Sequence, residues 1–238
     1  MRWSFSKLKR FNDCQAKAMA IEKGEWKQPQ TSAMLAGQYF DLFFREDKKR
    51  QEFETLNNVF KKNGERYADF EKAYQCFLRV LQDKKACEIN SGHQQIRLEG
   101  IINGVEWIGF ADTINDDMQI IVDRKLIKDI KPIWADGIGY VAFWKEREYQ
   151  KQLAIYQYLF EQNSGLKYKS LNFIATKEAI PELKCLQYSQ ALLDDALCDV
   201  IAEVETHNKA MQENELTRCE TCDYCKSTKK IEIEIIEG

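Results

Sequence analysis

The stretch that decides the fold is Gly109-Phe110-Ala111-Asp112, a turn at Asn115-Asp116-Asp117, then Ile120-Ile121-Val122-Asp123-Arg124-Lys125. Val105 to Ile114 alternates as a half-buried strand does. Met118 to Leu126 is a short, nearly continuous apolar run, the mark of a strand buried on both faces. Period-two geometry puts Asp123 and Lys125 on one face of that strand and Arg124 on the other, where it needs water or a partner. Asp112 lies near the end of the preceding strand, and a hairpin at 115–117 brings it beside Asp123. Two carboxylates and an amine then converge on one spot.

That set suits phosphodiester hydrolysis. Carboxylates hold Mg²⁺ (or Mn²⁺) through oxygen, and such an ion polarises a phosphoryl oxygen and activates water. Asp112, Asp123 and the backbone carbonyl of Arg124 are the candidate ligands, with Lys125 positioning the water or stabilising charge. Taken alone, Asp…Asp-x-Lys also fits a charged strand end with a surface ion pair. The buried run before it favours a site, because charges emerging from such a strand need a reason to be there.

Working outward, Gln94 to Glu99 alternates and Gly100 to Gly104 supplies a turn, so an antiparallel meander enters the sheet. Upstream, helices are expected over 4–22 (capped by Ser4 or Ser6), 31–45 and 66–83, the last with Phe70, Ala73, Tyr74, Phe77, Leu78 and Leu81 at helical spacing. Downstream come a helix at 146–163, a strand at 169–176 and a long helix at 189–213. Helices, meander, helix, strand and helix give an α/β (α+β) fold with a central mixed sheet flanked by helices. One domain over 1–238 is expected, in three parts: helical 1–90, a catalytic core at 91–185, and a C-terminal helix with cysteine cluster at 186–238.

The 238 residues are 44% hydrophobic, enough for a sizeable core. No apolar run reaches the roughly 18 residues that span a bilayer, and the N-terminus has no secretory h-region, so a cytoplasmic protein is expected. The net charge of −3 does not advertise a nucleic-acid binder, but a nuclease needs only a local basic path. Basic clusters at Lys7-Lys9-Arg10, Lys48-Lys49-Arg50 and Lys226-Lys229-Lys230 also fit an ordinary solvated surface. Of the eight cysteines, Cys76, Cys87, Cys185 and Cys198 read as scattered thiols. Cys219-x₂-Cys222-x₂-Cys225 is different: three thiolates at this spacing suit a [4Fe–4S] cluster, with Zn²⁺ as the alternative, and either needs a fourth ligand from elsewhere.

Gly-x-x-Asp followed by apolar-Asp-x-Lys resembles the core of the PD-(D/E)XK nuclease superfamily, a restriction-endonuclease-like fold. Gln152-Leu153-Ala154-Ile155-Tyr156 resembles the Gln-x-x-x-Tyr helix motif of its RecB-like branch, which implies that Gln152 and Tyr156 flank the active site. The residues share a helix face at i, i+4. That branch carries a His on an early helix where Gly37-Gln38-Tyr39-Phe40-Asp41 has Asp41, so Asp41 is a further candidate metal ligand. It also has an apolar residue inside Asp-x-Lys and often Thr after it, where Arg124 and Leu126 stand. Ser4-Phe5-Ser6-Lys7-Leu8-Lys9-Arg10-Phe11-Asn12-Asp13-Cys14 resembles the N-terminal segment of iron–sulfur RecB-like nucleases. The resemblance implies that Cys14, Cys219, Cys222 and Cys225 clasp one cluster joining the chain ends. Here Gln15 replaces the family's usual Pro.

Gly64 to Phe70, Tyr149 to Gln157, Ala175-Thr176-Lys177-Glu178 and Arg218 to Cys225 extend the likeness to phage and prophage exodeoxyribonuclease VIII-like domains. That implies an exonuclease acting on linear double-stranded DNA ends in a bacterial host, 5′→3′ in polarity, beside a single-strand annealing recombination protein. Two other classes compete. One is a non-catalytic DNA-binding or assembly module with a degenerate core, against which the intact Asp112, Asp123 and Lys125 argue. The other is a ferredoxin-like electron carrier, which this set of residues does not need.

Overall fold

The computed structural model describes residues 1–135 and 137–231; the C-terminal part of the expected 186–238 unit beyond 231 lies outside them. Five strands form the main sheet: β1 (His93–Ile102), β2 (Val105–Asn115), β3 (Ile120–Ile127), β6 (Lys169–Thr176) and β7 (Leu183–Gln187), in the order β1-β2-β3-β6-β7. The pairs β1–β2, β2–β3 and β6–β7 are antiparallel and β3–β6 is parallel, so the sheet is mixed as expected. Asn103 and Gly104, at φ +46° and +74°, make the two-residue turn that joins β1 to β2, a conformation Asn-Gly accepts readily. A small hairpin, β4 (Ile133–Ala135) with β5 (Gly139–Val141), and a short helix α7 (Phe143–Glu146) separate β3 from α8 (Tyr149–Ser164).

The apolar run of β3 feeds two cores. Ile121 packs on one face with Ile155 and Leu159 of α8, Trp107 of β2, and Val200 of α9 (Gln190–Glu213). Its neighbour Val122 packs on the other, with Tyr39 and Phe40 of α3 (Ser32–Leu42) and Phe70 and Cys76 of α5 (Ala68–Leu81). Burial on both faces leaves no room for the polar alternation of a half-exposed strand. Each such aliphatic residue contributes on the order of 1.5–3 kcal/mol by leaving water.

The expected helix over 4–22 is two helices, α1 (Phe5–Asp13) and α2 (Gln15–Glu22). Ser4 caps the first through its hydroxyl, accepting from the Lys7 N–H at 3.2 Å. Cys14 breaks the run, extended at φ −169° and ψ 108°, and its thiol meets the C-terminal cysteines. No apolar period signals this break, because its cause lies about two hundred residues away. Two helices not anticipated, α4 (Asp47–Leu56) and α6 (Lys84–Ile89), complete the α3 side; α4 buries no residue fully, which is why its pattern is weak. Among the described residues no helix is long and apolar enough to cross a membrane.

Candidate active site and metal centre

Strands β2 and β3 pair only at Asn115–Ile120, Ile114–Ile121 and Thr113–Val122. Beyond that they part, and the gap holds the residues singled out above. Asp112 Oδ2 accepts from the Arg124 backbone N–H at 2.7 Å. Asp123 is 2% exposed, and its Oδ2 lies 2.8 Å from Lys125 Nζ and accepts from Asn172 Nδ2 at 2.8 Å. Lys125 Nζ also donates to Gln152 Oε1 at 2.7 Å, and Gln152 Nε2 donates to the Tyr156 hydroxyl at 2.8 Å. The structure thus brings Asp112, Asp123, Lys125, Gln152 and Tyr156 into one cleft of about 560 Å³, which Asp41 and Arg124 also line. Gly109, the glycine of Gly-x-x-Asp, has a packing reason: a Cβ there would lie 2.6 Å from Tyr156 Cε1.

Burial pushes the Asp123 carboxyl up to about 6, against the pull of Lys125. Burial also works against charge on Lys125, but Asp123 beside it outweighs that and holds the amine protonated, above the usual lysine range. Burial lifts Tyr156 to about 12, so its hydroxyl stays a neutral hydrogen-bonding group. These residues fit a divalent cation. Asp112 and Asp123 offer hard oxygen donors, and a cation would offset the desolvation that raises Asp123.

Arg124, which needed a partner on its own face, has several. Its Nε donates to Asp41 Oδ1 at 2.9 Å, and its Nη1 donates to Thr113 Oγ1 at 2.6 Å and Gln94 Oε1 at 3.0 Å. The guanidinium lies 4.4 Å above the Phe44 ring centroid. Asp41 Oδ2 accepts from Arg45 and, at 3.2 Å, from Gln95 Nε2. Both oxygens of Asp41 are therefore engaged by cationic or amide donors.

Sequence reading missed Asn172, which holds Asp123 and accepts at Oδ1 from the Tyr188 hydroxyl at 2.8 Å. A lone Asn in the apolar strand Leu171-Asn172-Phe173-Ile174-Ala175 was the available signal. It also missed Gln94 and Gln95. The basic clusters are partly neutralised: Lys7 and Arg10 both pair with Glu22, and Arg50 with Asp47.

The second constellation joins the chain ends. The sulfurs of Cys14, Cys219, Cys222 and Cys225 all lie within 4.8 Å of one another. Cys14 Sγ is 3.6 Å and Cys219 Sγ 4.0 Å from Cys225 Sγ. Hydroxyl and N–H donors from Thr221 and Cys222 pull the Cys219 thiol down to about 6. Cys222 caps the short helix α10 (Asp223–Ser227), accepting from Cys225 N–H at 3.4 Å. Beside the sulfurs, Ala16 N–H donates to the Thr217 carbonyl at 3.1 Å, and Gln15 Oε1 accepts from Thr217 N–H at 2.9 Å. Four thiols whose sulfurs all lie within 4.8 Å of one another fit a metal centre. Their present spacing is that of one tetrahedral ion with bonds of about 2.3 Å; a [4Fe–4S] cluster, with one thiolate per iron, requires the sulfurs to spread.

Residues 4–228 match the family described as a PDDEXK-like domain of unknown function (DUF3799). The crystal structure of a "Putative exonuclease" from Eubacterium rectale is similar at TM-score 0.90 and 27% sequence identity, covering 99% of this chain and 91% of that one. The crystal structure of SSO0001 matches over 82% of this chain and 84% of that one, at 13% identity and TM-score 0.31, too distant to carry an argument. Among curated proteins none matches.

Proposed function

The chain belongs to the family of PDDEXK-like domains, and from that premise we propose that it is a divalent-metal-dependent deoxyribonuclease, an exonuclease acting on linear double-stranded DNA ends. The observation that carries this reading is the convergence of Asp112, Asp123 and Lys125 where β2 and β3 part. Asp112, Asp123 and the Arg124 carbonyl are the ligands we assign to Mg²⁺. Asp41 is left out of the set because its carboxylate is ion-paired with the guanidinium groups of both Arg124 and Arg45. When bound, the ion supplies charge neutralisation at the phosphate and a water of lowered pKa.

The residues of the chain do the rest. Asp123 and Gln152 take two of the three N–H groups of Lys125, leaving one for a phosphate oxygen or the attacking water. Its charge, fixed in place, stabilises the negative charge that grows at phosphorus. The water oxygen forms a bond to phosphorus, the bond to one ester oxygen breaks, and the proton of the water ends on the departing alkoxide. A hydroxyl end and a phosphate end result. Gln152 and Tyr156 order the lysine without ligating metal, since amide and phenol are poor competitors for Mg²⁺ beside carboxylates. The four cysteines hold a structural metal centre, iron–sulfur by the resemblance of their segments. The likeness to phage and prophage exonucleases supports a role in recombination beside an annealing protein. The resemblance to the 27%-identical structure, described as a "Putative exonuclease", supports the exonuclease reading.

The test is digestion of end-labelled linear DNA and closed circular DNA by anaerobically purified protein, with and without Mg²⁺. Mg²⁺-dependent loss of linear DNA only is expected, and Asp112→Ala, Asp123→Ala and Lys125→Ala should each cost at least ~10²-fold in rate. Wild-type rates in folded Asp123→Ala protein would remove the assignment; no cleavage by the wild type under any divalent ion would favour the non-catalytic module.

A further inference from the structure

Gln95 of β1 stands opposite Asp112, between the paired residues Gln94–Thr113 and Ile96–Ala111. Its φ is +53°, in the left-handed region that a non-glycine residue inside a strand rarely adopts. The pleat slips there. Regular alternation would put Gln94 and Ile96 on one face. Instead Gln94 Oε1 accepts from Thr113 and Arg124, on the α3 side, while Ile96 packs into the core that contains α8. Thr113 and Ala111 show the same reversal across the ladder: Thr113 pairs with Val122 of the α3-side core and Ala111 packs in the α8-side core.

The side chain of Gln95 makes use of that slip. Its one NH₂ group donates to Asp112 Oδ1 at 2.6 Å and to Asp41 Oδ2 at 3.2 Å. Asp112 Oδ2 is held from the other side by the Arg124 N–H at 2.7 Å. Both oxygens of Asp112 are thus oriented by N–H donors, the Gln95 amide and the Arg124 backbone. Backbone strain of this kind persists only where surrounding contacts over-determine it, and it concentrates at functional sites. A turn residue would need no such support, but Gln95 lies within a ten-residue strand.

We propose that Gln95 is a positioning residue for the cation site: it orients Asp112, and ties it to the Asp41–Arg124 pair, before any ion arrives. The inference rests on the reading of Asp112 and Asp123 as metal ligands. Donors behind a ligand typically govern affinity by ten- to a hundredfold.

Two variants separate this role from a merely structural one. Gln95→Gly removes the amide and also relieves the left-handed backbone; Gln95→Met keeps side-chain length and backbone strain but has no donor. Mn²⁺ binding to the free protein, followed by electron paramagnetic resonance without DNA, is the readout, with thermal midpoints measured in parallel. Gln95→Gly should melt at or above the wild-type temperature while its Mn²⁺ Kd rises roughly tenfold or more, and Gln95→Met should weaken binding comparably. Wild-type Mn²⁺ affinity in both folded variants overturns the inference. Asp123→Ala is the control: if it binds Mn²⁺ as tightly as the wild type, the metal site itself is overturned, whatever the Gln95 variants do.

Discussion

The Arg124 guanidinium is buried against the Asp41 carboxylate, Nε to Oδ1 at 2.9 Å, and so ties α3 to the strand that carries Asp123 and Lys125 on its opposite face. The Arg124 side chain is 1% exposed. Burial lowers its affinity for the proton to about 10, while Asp112 and Asp123 counteract that loss. The cleft therefore has a fixed wall made of an ion pair rather than of apolar packing.

Removing one partner of such a pair leaves the other charge uncompensated. Asp41→Ala should destabilise the protein by about 3–5 kcal/mol in denaturant unfolding. The double variant Asp41→Leu with Arg124→Leu should be more stable than Asp41→Ala alone, because Arg124 is no longer left as a buried charge without its carboxylate. A loss below about 1 kcal/mol in Asp41→Ala would place this pair with ordinary surface ion pairs and sink the argument.

Gln152 accepts from Lys125 and donates to Tyr156; in the proposed function it acts through that lysine and not on a metal. Gln152→Ala should lower the cleavage rate by roughly ten- to a hundredfold, the scale of a lost orienting partner. The Mg²⁺ concentration for half-maximal rate should stay within about twofold, since no oxygen ligand is lost. Cleavage titrated against Mg²⁺ decides it: a large shift in the Mg²⁺ midpoint at unchanged maximal rate would show that Gln152 belongs to the metal site instead.

What was legible in the sequence was local. Asp123 and Lys125 share a face because strands have period two, and Gln152 and Tyr156 share one because helices bring i and i+4 together. The buried run of β3 announced a central strand, and the mixed sheet followed from the order of elements. What was not legible depends on distant partners. Nothing near Gln95 in sequence announces its left-handed backbone, and nothing near Cys14 announces a helix break; the carboxylates and thiols that explain them come from other elements. Asn172 looked like one polar residue in an apolar strand until β3 placed Asp123 beside it. Asp41 stood in the slot of a metal-binding residue, and only the folded chain shows Arg124 reaching it.

His207 should give the junction of the N- and C-terminal segments a pH dependence. Its Nδ1 accepts from Gln15 Nε2 at 2.9 Å and its Nε2 donates to Asn12 Oδ1 at 2.7 Å, so the ring is neutral. Trp3 stacks on it and Phe11 packs beside it. Burial lowers its pKa below the ordinary 6.5, with Glu203 pulling the other way. Protonation would set two donors against each other at Gln15, whose carbonyl is committed to Thr217. Because the folded pKa is depressed, the unfolded chain takes up the proton first. The contribution of His207 is complete above about pH 6.5 and is lost as pH falls toward the depressed folded value. Thermal midpoints from pH 7.5 to 5.5 should fall more steeply in the wild type than in His207→Gln. Equal slopes would show that His207 does not titrate in this way.

The cysteine centre makes the sharpest demand on experiment. Cys14 stands at the α1–α2 break and the other three sulfurs in the C-terminal segment, all within 4.8 Å. Metal–thiolate bonds that form only in the folded state add their binding energy to folding. Replacing any one of Cys14, Cys219, Cys222 or Cys225 by Ser should therefore bleach the broad brown absorption of anaerobically prepared protein and weaken the whole fold. A loss of even ~3 kcal/mol would lower the thermal midpoint by roughly 6–12 °C for a domain of this size. Cys185→Ser, at an exposed thiol, should keep the colour, as should Cys76→Ser, whose thiol donates to the Thr176 carbonyl in the α3-side core. Metal analysis separates the candidates. About four irons per chain would match one [4Fe–4S] cluster and the resemblance of the two cysteine segments. One zinc and no iron would match the sulfur spacing of 3.6–4.0 Å and replace the cluster by a zinc staple. Neither metal, in folded protein with four reduced thiols, would mean that Gln15, Thr217 and His207 hold the chain ends together without one.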